Sequence, residues 1–227
     1  KRVVYETRDS LAMFPDLLKS SDTQIDRFYS VKHAGTDRVA GFEADQVLIE
    51  ARDKLRFSYQ VWSEQVSGLV VKMQTLDDQG RILEQVSFSE LQLAAPISMR
   101  RLSEMMGNTA GYQVQTVESF RTTAAAHGWQ LKQPVAGFAP MHCYLRPDGL
   151  GRALQWIFSD GLASVSLFIE GLDGRRSYGQ EGLMAMGATH TLTQRLRDKS
   201  GQWWLTVVGE VPPQTLQAFA QSLERRP

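Results

Sequence analysis

Val47-Leu48-Ile49-Glu50-Ala51-Arg52-Asp53-Lys54-Leu55-Arg56-Phe57-Ser58-Tyr59-Gln60-Val61-Trp62 decides the fold class of this 227-residue chain. Residues 44–50 carry the apolar run Val47, Leu48, Ile49, and in residues 55–62 Leu55, Phe57, Tyr59 and Val61 share one face of a pleat of period two. Alternation of this kind predicts an antiparallel strand with one buried face. Working outward, residues 27–32 precede these as a first strand. Ser67-Gly68 turns the chain into residues 69–76, and Asp77-Asp78-Gln79-Gly80 turns it again into residues 81–93, with Val86 and Phe88 facing one side. The pattern is that of an antiparallel meander. Leu11, Met13, Phe14, Leu17 and Leu18 form an apolar segment before it, read as a covering helix or loop with Asp9 or Ser10 at its start.

The strand signal lapses over residues 94–127, where Pro96, Gly107, Asn108 and Gly111 break the pattern, and a linker is predicted there. Strands resume at residues 129–131, 141–145, 153–158, 162–170, 184–192 and 202–208. Their turns are Pro147-Asp148-Gly149, Ser159-Asp160-Gly161 and Lys199-Ser200-Gly201. Pro212-Pro213 then opens a helix whose Leu216, Phe219, Ala220 and Leu223 fall at helical spacing, so one face docks on the sheet. The expected architecture is α+β and β-rich, with a first antiparallel sheet in residues 1–95, a linker in 96–127, and a second small antiparallel sheet with a C-terminal helix in 128–227.

Composition narrows the function classes. Lys+Arg 25 balances Asp+Glu 25, so no field draws the molecule toward nucleic acid, and no nucleic-acid partner is expected. The four histidines, His33, His127, His142 and His190, are scattered, without HxH or HExxH spacing, so neither metal nor cofactor is expected. The lone Cys143 adjoins His142 in a predicted strand, which points the two side chains to opposite faces, and a buried, inert thiol is the expectation. Neither a GxSxG elbow nor a phosphate-cradling loop is found, and Ser159-Asp160-Gly161 reads as hairpin chemistry rather than a catalytic group. An enzyme is not expected.

Binding through shape is what remains. Phe57, Tyr59, Val61, Val71, Met73, Val86 and Phe88 are the candidate lining of an apolar cavity, although the same residues would serve equally as core. Trp62, Trp203 and Trp204 could be interface anchors or core. Arg100-Arg101 and Arg225-Arg226 read as solvated charge.

Several stretches resemble one family in order: Arg38-Val39-Ala40-Gly41; Val47 to Asp53; Arg56-Phe57-Ser58-Tyr59-Gln60-Val61-Trp62; Ile82-Leu83-Glu84-Gln85-Val86; Gly137-Phe138; Phe158 to Ser166; and Val207 to Pro213. Together they are similar to the RseB/MucB family of periplasmic sigma-factor regulatory proteins. The resemblance implies part of a LolA-like curved sheet followed by a small C-terminal domain. It implies a periplasmic, non-catalytic negative regulator of a sigma-E/AlgU-type sigma factor. Such a protein binds the periplasmic segment of an RseA/MucA-type anti-sigma factor and blocks site-1 proteolysis until a lipid or lipopolysaccharide signals envelope stress. A periplasmic lipid or lipoprotein carrier of the LolA/LolB type is the alternative. The family's first strands lie upstream of Lys1, so an unpaired strand edge and uncovered apolar face are expected, to be covered by another chain or by homo-oligomer formation.

Overall fold

A two-residue connection sets the first sheet in register. Val39 pairs with Phe42, and Ala40 (φ 49°) and Gly41 (φ 88°) between them both take positive φ, the type I′ pattern whose twist matches that of the flanking strands. The computed structural model describes residues 2–6, 25–117, 119–147, 152–172, 179–199 and 201–226. The apolar segment expected around Leu11 to Leu18 lies outside them, as do Asp148, Gly149 and Ser200 of the expected turns.

Strand β1 (Arg2–Glu6) comes first, followed by the single helical turn α1 (Ile25–Phe28). Strands β2 (Tyr29–Val39), β3 (Phe42–Ala51), β4 (Ser58–Glu64), β5 (Val70–Leu76) and β6 (Ile82–Ser87) form a five-stranded antiparallel sheet in that order. This is the meander the alternation predicts. One of its faces packs Tyr29, Ile49, Tyr59, Val61 and Val70 with Val47 and Met73, and the other packs Val39, Ala44, Trp62 and Val71 with Leu69, Phe88 and Leu91.

Two details differ from expectation. Leu55, Arg56 and Phe57 stand before β4 rather than in it, because Asp53 Oδ1 accepts the Leu55 N–H at 2.9 Å and bends the chain. Val86 and Phe88 do not share a face. The ladder is irregular between Trp62 and Ser63, β6 ends at Ser87, and Phe88 N–H donates to the Val71 carbonyl, which carries Phe88 to the Trp62 side while Val86 stays opposite Met73.

The expected linker contains structure of its own. Helix α2 (Met99–Gly107) is capped by Ser98, whose hydroxyl accepts the Arg101 N–H; β7 (Gln113–Val117) pairs parallel with β1; and β8 (Phe120–Arg121) joins the second sheet. A 3-10 turn at Ala125–His127 and strand β9 (Trp129–Leu131) follow. Then come β10 (Ala139–Pro147), β11 (Arg152–Ser159), β12 (Ser164–Gly171), β13 (Gly182–Met186), β14 (Thr189–Asp198) and β15 (Gly201–Gly209).

The second sheet runs β13-β14-β15-β12-β11-β10-β8, seven strands against five in the first. This is the second antiparallel sheet expected, with two more strands, because the former linker supplies β8 and the single strand expected at 184–192 is a hairpin. Gly187 (φ +60°) turns the chain there, and Met186 pairs with Thr189. Helix α3 (Pro213–Ser222) buries Thr215, Leu216, Phe219 and Ala220, and packs on β14 and β15 as its spacing predicts. Strand β16 (Leu223–Arg225) then pairs with β9. The core of this half is held by Phe158, which lies 4.8 Å from Phe219, and by Phe138 at 5.6 Å, edge to face with the same ring.

Candidate functional site at the seam between the sheets

The connection from β3 to β4 projects Arg56 into the space between the two sheets. Its side chain has no solvent exposure, nor has that of Asp160, which comes from the β11–β12 turn. The guanidinium Nε donates to Asp160 Oδ2 at 2.8 Å, Nη2 donates to the Ala136 carbonyl at 2.6 Å, and Nη1 pairs with Asp53. Its carbon sits 4.2 Å from the centre of the Phe28 ring and 5.1 Å from that of Phe138.

Asp160 is built for two tasks. Oδ1 accepts the N–H groups of Leu162 (2.9 Å) and Ala163 (2.8 Å) and closes the hairpin, while Oδ2 accepts the Tyr29 hydroxyl (2.8 Å) together with Arg56. Burial lifts the Tyr29 pKa far above its ordinary value, with Tyr59 and the Asp160 carboxylate adding to the rise, so the hydroxyl stays a donor. The expectation of a turn at Ser159-Asp160-Gly161 thus describes half of what this aspartate does.

Apolar and polar contacts extend the seam in both directions. Leu162 packs into the first sheet with Tyr29, Ile49 and Tyr59, and Leu55 packs into the core of the second. Thr215 Oγ1 donates to the Leu55 carbonyl at 2.7 Å, and Gln214 donates to that of Lys54. On the far side Glu84 accepts the Ala188 N–H at 3.3 Å, and the Phe57 ring stands 5.9 Å from His190.

The seven candidate cavity residues do not form one group. Tyr59, Val61 and Met73 pack together on the seam side, Phe57 is buried against His190 of the second sheet, and Val71 and Phe88 belong to the opposite face. Val86 is 43% exposed and, like Val31 at 61%, lies on the seam-side face, where Val31 pairs with Ile49 and Val86 with Met73. Trp62 and Trp204 are buried, and Trp203 stands edge-on to Trp129 at 5.4 Å with Arg225 over it at 4.6 Å, so Arg225 is not merely solvated charge. Cys143 is buried, while His142 points the other way and stands beside Tyr144 and Arg121. Among the described residues no three His, Cys, Asp or Glu side chains come together as a metal site.

Sequence reasoning missed as site residues Arg56, Tyr29 and Gly137, whose missing Cβ leaves room for Arg56 Nη2 and the Phe28 ring. The local signal was a charged residue inside the apolar run Leu55-Arg56-Phe57. Its partner lies 104 positions away, where no spacing rule reaches.

Comparisons with known proteins agree along the chain. The MucB/RseB N-terminal domain matches residues 1–106 and the MucB/RseB C-terminal domain matches residues 123–224. The sigma factor AlgU regulatory protein MucB of Pseudomonas aeruginosa is 28% identical over 211 residues, 90% of this chain and 63% of that protein. The sigma-E factor regulatory protein RseB of Escherichia coli is 25% identical over 214 residues, 92% of this chain and 64% of that protein. The chain therefore spans a little under two thirds of the length of these relatives. A solved structure of the Pseudomonas aeruginosa MucA/MucB complex superposes with a TM-score of 0.70 at 28% identity, covering 90% of this chain and 67% of that one. With its two sheets, its C-terminal helix and both domain matches in the same order, the chain belongs to the MucB/RseB family.

Proposed function

We propose that this protein is a periplasmic, non-catalytic regulator that binds the periplasmic segment of a MucA/RseA-type anti-sigma factor and shields it from proteolysis until a lipid signal releases it. The observation that carries this reading is the likeness, over nine tenths of the chain, to a MucB solved together with MucA. The domain division at 96–127 belongs to the same proposal: the first and second sheets share no strand, and a segment gripped by both would depend on how they sit.

We assign contact with an acyl chain, such as that of a lipopolysaccharide, to the first sheet's seam-side face around Val47, Met73 and the exposed Val31 and Val86. A ligand that prefers one arrangement of the two sheets shifts the equilibrium by its differential affinity, so lipid and peptide oppose each other. Self-association through an open strand edge is a further part of the proposal, read out by light scattering. The test is protection. The anti-sigma segment, mixed with the protein and challenged with its site-1 protease, should resist cleavage, and added lipopolysaccharide fragments should restore cutting. Cleavage at the unprotected rate, by a protein shown to be folded, would overturn the proposal.

A further inference from the structure

We infer that Arg56, Asp160 and Tyr29 form a latch that fixes the second sheet against the first in one register, and that this register is the one competent to bind the anti-sigma segment. The second clause rests on the functional reading above.

The apolar contacts at the seam, Leu162 in one direction and Leu55 in the other, are non-directional and would tolerate sliding. The charges would not. A guanidinium is a planar fork whose bonds have fixed directions, and this one is satisfied by three separate stretches of chain: Asp53 beside it, Ala136 ahead of β10, and Asp160 in the β11–β12 turn. A shift of an ångström or two would leave two ions in a site with no water contact, at a large desolvation cost. Full separation returns both ions to water. The seam is therefore bistable, closed in one register or open, rather than continuously adjustable.

Buried ion pairs are weak sources of net stability, and replacement by apolar residues is often neutral, so stability and register can be told apart. Three variants are compared with the parent: Asp160→Asn, Arg56→Met, and the double Arg56→Met/Asp160→Asn, which removes both charges and keeps the Oδ1 that accepts the Leu162 and Ala163 N–H groups. Spin labels on cysteines replacing the exposed Val66, in the β4–β5 turn of the first sheet, and Met184, in β13 of the second, report the inter-sheet distance, and hydrogen exchange of the two cores reports folding. The latch predicts one narrow distance in the parent and broadened or doubled distances in both single variants. The double variant should melt near the parent temperature and still give a broad distribution. Affinity for a synthetic periplasmic segment of a MucA-type anti-sigma factor should fall at least tenfold in all three. A stable double variant with the parental narrow distance would overturn the latch, as would single variants with that distance. If the parent itself fails to bind the segment, the functional reading falls, while the distances still decide the latch.

Discussion

Gly137→Ala is the substitution whose cost the structure specifies most fully. Gly137 has φ +81°, and a Cβ there would lie 2.1 Å from Arg56 Nη2 and 2.8 Å from the Phe28 ring. The left-handed backbone costs an alanine about 1–2 kcal/mol. The guanidinium must also give up its 2.6 Å bond to the Ala136 carbonyl, and a hydrogen bond from a charged group contributes about 1.5–3 kcal/mol. Together these destabilise the protein by about 2.5–5 kcal/mol, a fall in Tm of roughly 5–20 °C for a chain of this length. Gly80→Ala is the control, because Gly80 has nearly the same φ, +75°, and nothing within 4 Å of its would-be Cβ. It should lose about 1–2 kcal/mol. Urea denaturation followed by tryptophan fluorescence measures both. If Gly137→Ala costs no more than Gly80→Ala, the Arg56 site is not packed as described.

Three further outcomes follow from other parts of the molecule. Hydrogen bonds from the Ser67 hydroxyl (2.5 Å) and from the Ser67 and Val66 N–H groups hold the Glu64 carboxyl below its usual 4.5. A depressed acid stabilises the fold above its unfolded pKa and loses that contribution as pH falls through the folded value, so Glu64→Gln should be less stable at neutral pH, and a pH series of urea midpoints should see the two proteins converge in acid. Burial pushes the Cys143 thiol up to about 11, so iodoacetamide should label it only as denaturant opens the fold; rapid native labelling would contradict its burial. Ala40→Asn relieves a positive φ in the β2–β3 turn and should raise stability by about 1 kcal/mol, a gain that vanishes if the turn is not type I′.

What could be read in the sequence was what periodicity encodes. Alternation in Tyr59 and Val61, together with turn residues at Gly68 and Gly80, yields the five-stranded meander, and the spacing of Leu216, Phe219 and Ala220 yields the docked helix. Periodicity fails where the ladder slips, so Phe88 was assigned to the wrong side, and it fails where a single glycine splits a run, as Gly187 does. Helix α2 hid among Pro96 and Gly107 because its exposed Met99, Met105 and Met106 looked like linker composition. The latch was out of reach for another reason. Asp160 satisfies an ordinary turn, and nothing local indicates that its second oxygen faces Arg56.

The most direct test of the account is calorimetric titration of a MucA-type periplasmic segment into this protein, in the absence and then the presence of saturating lipopolysaccharide fragment. Binding should saturate and be weakened by lipid, and in the reverse order lipid binding should be weakened by the segment by the same factor. Absence of binding heat at several temperatures, from protein whose two cores are both protected in hydrogen exchange, would contradict it.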